Sequence, residues 1–202
     1  MKAEQDYIRD IAEIRSMMER SSKFVSLSGW AGIMAGIFAL GGVYVARNVF
    51  GFNPDSVSGG SSSEVRQVLL VGAVVLVLAL CTAIYFSNQR ASRRGEKIWN
   101  ATARQLLMSL AVPLVAGGIM VFILVSHDLI GLVAPCSLLF YGLALFNASK
   151  FTYNAVKVLG LAEIGLGLLG SWLVGYGLLL WALGFGVAHI VYGVYVYYRY
   201  EK

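Results

Sequence analysis

Residues 106–125 read LLMSLAVPLVAGGIMVFILV, twenty positions without a charge. A hydrocarbon core ~30 Å thick is crossed by roughly 20 apolar residues in an α-helix. In lipid, only helices and closed barrels satisfy all of their own backbone groups. Ser126, His127 and Asp128 follow, and a second apolar run opens at Leu129. So short a connection folds two helices back on each other. His127 and Asp128 read as a polar turn outside the membrane.

Working outward from this hairpin, six apolar runs appear, at about 24–46, 68–86, 106–125, 129–146, 158–174 and 178–198. Gly175 and Gly177 flank Tyr176 and permit the turn between the last two. Trp172, Tyr176 and Trp181 suit the aromatic belt at a membrane interface. The expected architecture is all-α: a polytopic membrane protein whose six-transmembrane-helix bundle (24–202) is preceded by a short cytoplasmic amphipathic helix (1–23). The chain is 58% hydrophobic and 13% charged, with mean hydropathy +0.71. A soluble domain carries roughly 25% charged residues.

Lys and Arg set the orientation. With the N-terminus inside, 14 of the 16 fall on the cytoplasmic side, and only Arg47 and Arg66 fall outside. A miscounted helix would scramble that separation. The expected location is the bacterial inner membrane, multi-pass, with both termini cytoplasmic. The first 23 residues are charged throughout, so no cleavable signal peptide is expected and the first apolar run stays as a helix. Bases flank the runs instead of forming one patch, which argues against nucleic acid despite a net charge of +5. Cys81 and Cys136 lie in different runs and are expected as free thiols.

Tyr7, Ile11, Ile14 and Met18 are spaced 4, 3, 4, the seam of a short coiled coil. Five bases meet five acids over residues 1–23. A lipid-gripping helix is Lys/Arg-rich, so this neutral one points to a protein partner or a second copy. The alternative is a solvated juxtamembrane helix.

Small residues let membrane helices approach closely. Ser28, Gly32 and Gly36 recur every fourth residue. Gly160, Gly167 and Ser171 share a face of the fifth helix, and Ala182, Gly186 and Gly193 share one of the sixth. The first stripe suits either the bundle or a homodimer. Pro113 and Pro135 are expected inside spans, each removing one hydrogen bond and kinking its helix.

Two ionisable residues fall within the predicted hydrocarbon, Glu163 and His189. Such groups are costly there and point to function. Each lies 13 residues from Tyr176, which places them at similar depth, a little inside the cytoplasmic boundary. Each also shares a face with a small-residue stripe. The two are expected to meet, either as an interhelical lock or as a proton or cation relay. No Ser/His/Asp set, metal-ligand cluster or cofactor motif appears, so no catalytic residue, metal or cofactor is expected.

The segment from Ile14 through Met17, Met18, Glu19, Arg20 and Lys23 to Phe24, followed by Ser26, Leu27, Ser28 and Gly29, resembles the opening of a family of uncharacterised inner-membrane proteins from Bacteroidota. The plan of six short Gly-rich helices is also similar to the HdeD-type membrane proteins linked to acid resistance. These resemblances imply compartment and topology. The function expected is that of a non-enzymatic scaffold, sensor or regulator. The alternatives are a small proton- or cation-coupled transporter or channel using Glu163 and His189 and, more remotely, an intramembrane enzyme.

Overall fold

The computed structural model describes residues 28–52, 62–93 (side chains from 65) and 99–202, together with Ile11 and Ile14. Among the described residues there are helices and no strands. Six helices are long and apolar enough to cross a membrane. They are α1 Gly29–Val49, α2 Ser62–Arg93, α3 Ala101–Ser126, α4 Ile130–Phe151, α5 Asn154–Trp172 and α6 Val174–Glu201.

Local chemistry sets the helix ends. The Asn100 side chain caps α3, accepting from the Ala103 amide at 2.8 Å, a role suited to a short polar side chain. Asp128, in the α3–α4 turn, takes a left-handed φ of 58°, a conformation that Asp tolerates. His127 and Asp128 are both exposed. Cys81 and Cys136 are free.

Several helices outrun their apolar cores. α2 continues past Phe86 to Arg93, because Ser87, Asn88, Gln89, Arg90 and Ala91 include no helix breaker. α5 starts at Asn154, four residues before the apolar run, so Glu163 stands nine residues from each end of the helix. That is the middle of the helix. Pro135 also lies inside its span, α4, as expected. It lies in the first turn of the α-helix Val133–Ala148, where no intrahelical partner for its missing N–H is required. Pro113 is inside α3, as expected.

The small-residue stripes pack within the bundle. α1 packs against α2 and α6. A Cβ at Gly36 would stand 2.5 Å from the Gly186 carbonyl, and one at Gly32 would stand 3.1 Å from the Gly193 Cα. Ser28, Gly32 and Gly36 therefore serve the bundle itself. On α5, Gly160 and Gly167 face α4: a Cβ at Gly167 would stand 2.7 Å from the Leu139 amide. Gly186 and Gly193 thus close on α1, and the α5 stripe closes on α4. Ser171 is exposed and donates to the Gly167 carbonyl of its own helix at 3.0 Å. Its expected packing role passes to the buried Gly170, which meets the Pro135 ring.

A clasp joins three helices at one end. The Arg90 guanidinium donates to the Glu201 carboxylate at 2.6 Å and to the Tyr200 carbonyl at 2.7 Å. Glu201 also accepts from the Gly29 amide. The start of α1 and the ends of α2 and α6 therefore lie together. Helix alternation adds the starts of α3 and α5 and the end of α4. This end carries Arg90, Arg93, Arg104, Lys150, Lys157, Arg199 and Lys202 among the described residues; the opposite end carries Arg47 and Arg66.

Ile11 and Ile14 are helical and 65% and 56% exposed. Tyr7 and Met18, the other half of the expected seam, lie outside the described residues, as does the expected start of the first span.

Candidate functional site

Glu163 is fully buried at the middle of α5. One carboxylate oxygen lies 3.3 Å from Nδ1 of His189 on α6. The structure therefore brings the two sequence-predicted residues together across the last helical hairpin.

The imidazole is held on both sides. Nδ1 lies 3.1 Å from the Gly184 carbonyl, and Nε2 lies 2.9 Å from the Tyr141 hydroxyl. A carbonyl only accepts, so Nδ1 carries a hydrogen and donates it to Gly184. In the neutral ring, Nε2 then accepts from Tyr141. That leaves Glu163 within ion-pair distance but with neither oxygen in a hydrogen bond. An isolated buried charge is very costly. The imidazole of His189 is the group placed to compensate it.

Backbone geometry makes the approach possible. Ala182–Ala188 forms a π-helical segment that delivers His189 to the α-helical turn beyond it. Such wide turns are uncommon and recur at functional sites. Gly184 lies within this segment, and a Cβ there would collide with Glu163 Oε2 and stand 2.5 Å from Leu138. Any side chain there would have to displace the ends of Glu163 and Leu138. Beyond the imidazole stand Tyr141, Phe185 and Trp181, with Tyr141–Phe185 and Trp181–Phe185 ring centroids 4.9 and 4.8 Å apart.

A cavity of about 650 Å³ opens on the far side of this group. His189, Tyr141, Phe185 and Trp181 line it, whereas Glu163 does not. Its remaining walls are mainly Val, Leu, Ala and Gly from α1, α2, α3 and α4. The acid is sealed behind the imidazole, and the imidazole edges onto an apolar space.

Sequence reasoning found Glu163 and His189 from their charge in an apolar run. It missed Tyr141 and Gly184. A tyrosine in a membrane helix is unremarkable by itself, and one glycine among 23 carries no distinguishing mark. Among the described residues, no three His, Cys, Asp or Glu side chains converge as a metal site would require.

Comparison with protein-family models, with curated proteins and with solved structures returns no match.

Proposed function

We propose that this chain is a non-enzymatic sensor or regulatory protein of the bacterial inner membrane, with both termini cytoplasmic. One observation carries the reading. Of the Glu163–His189–Tyr141 array only the two ring members border the cavity, whose walls are mostly apolar, and Glu163 lies fully buried behind them. An ion carrier would want polar groups along its route. A lock that holds α5, α6 and α4 in one arrangement needs none. The orientation follows from the crowding of Lys and Arg at one end. The exposed Ile11 and Ile14 fit a contact of the N-terminal helix with a protein partner or a second copy.

A specific observation favours a second reading, a proton relay. Both Glu163 oxygens lack a hydrogen-bond partner among the described residues, and a titratable imidazole stands 3.3 Å from one of them. The two readings separate in liposomes that hold a trapped pH dye under an imposed proton or cation gradient. We expect no flux from wild type or from Glu163→Gln. Proton movement by wild type that Glu163→Gln abolishes would overturn the sensor reading and make Glu163 a working carrier.

A further inference from the structure

Among the described residues, no extended packing closes the bundle between α2 and α3. α2 rests on α1 and α3 rests on α4, and the two share no extended packing, yet both turn small and aliphatic side chains toward the same space. That space is the cavity that His189 and Tyr141 border. It runs from Ser28 and Thr152 at the basic end to Phe52 and Ile130 at the other. It is therefore a cleft spanning most of the membrane depth. Its volume of about 650 Å³ falls within the ~300–1,000 Å³ range of specific ligand sites.

The wall chemistry selects the guest. A buried water needs two to four polar partners, and the aliphatic walls of α2 and α3 provide almost none. An apolar void left empty loses the dispersion contacts of its lining. Within a bilayer, the molecule at hand that is long, narrow and apolar is a lipid chain. Gly72 on α2 and Gly118 on α3 both line the cleft, and a Cβ at either would meet nothing within 4 Å. Free space therefore lies directly against both helices.

Charge decides which lipid and which way it lies. Arg104, in the first turn of α3, and Lys150, near the end of α4, are exposed at the basic end toward which the cleft runs. Arg93, also exposed, ends α2 on the same side. Among the described residues, the acid at this end is Glu201, and Arg90 holds it. Bases next to an apolar membrane site suit an anionic headgroup. We propose that the cleft is a binding site for an anionic phospholipid. One acyl chain lies between α2 and α3, and the phosphate rests among Arg93, Arg104 and Lys150. This goes beyond the sensor reading and does not depend on it, because the site stands whether or not Glu163 carries protons.

The test is native mass spectrometry of the full chain, released from detergent containing equal amounts of palmitoyl-oleoyl phosphatidylglycerol and phosphatidylethanolamine. We expect one retained phosphatidylglycerol per protein, favoured about tenfold over phosphatidylethanolamine. Gly72→Phe and Gly118→Phe, checked for helicity and monodispersity, fill the cleft and lose both lipids. The triple change Arg93→Gln, Arg104→Gln and Lys150→Gln keeps a bound lipid but removes the preference. Equal retention of the two lipids by wild type would overturn the proposal. So would unchanged binding by correctly folded Gly118→Phe. A wild-type dimer that the glycine variants abolish would assign the cleft to a second copy and reject the lipid.

Discussion

At the scale of single residues, the buried pair makes the sharpest claim on stability. Removing one member of a buried ion pair typically costs about 3–5 kcal/mol, because the other is left uncompensated, whereas replacing both by apolar groups can be near neutral. His189→Leu should therefore destabilise strongly, and so should Glu163→Leu. The double variant should cost clearly less than the sum of the two. Equilibrium unfolding in mixed micelles measures all three, and strictly additive losses would show that the two side chains do not interact. These two residues were legible from sequence because charge in an apolar run stands out. Their surroundings were not. Tyr141 reaches the ring from a different hairpin, and the contact at Gly184 arises from a π-helical turn that no periodicity announces.

At the scale of helices, the clasp that ties Arg90 to Glu201 offers a separate handle. α2 leans on α1 alone for most of its length, and none of its most apolar stretch is buried. Arg90→Met should release its basic end and cost about 1.5–3 kcal/mol, the worth of hydrogen bonds to a charged group. Hydrogen exchange should then quicken over residues 86–93 and at the start of α1, leaving α4 and α5 unchanged. Uniform exchange across the chain would count against a local clasp. The six spans were legible from runs of apolar residues, but their ends were not, since polar residues such as Ser87 to Gln89 continue a helix without marking it. The small-residue stripes were equally visible in advance. Which stripe meets which was not, because spacing along one helix says nothing about its neighbour. Gly36 thus meets Gly186, and Gly167 meets Leu139.

At the scale of the whole molecule, the proposed orientation predicts a labelling pattern. With Cys81 and Cys136 replaced by Ala, a membrane-impermeant maleimide added to intact cells should label His127→Cys and spare Lys202→Cys until the cells are opened. The reverse pattern would invert the topology. The distribution of Lys and Arg in the sequence is the basis of this orientation. The cleft side of the bundle was not legible there, because an apolar face turned toward a cleft has the same composition as one turned toward lipid. The closure of α1 on α6 has a further consequence for biosynthesis. Glu201 is translated after every other member of the clasp, and α6 after every other helix. The glycine face of α1 therefore enters the bilayer without its mate and stays unmatched until the rest of the membrane domain has left the ribosome. A nascent chain halted before α6 would expose that face, which gives quality-control proteases a direct mark of unfinished synthesis.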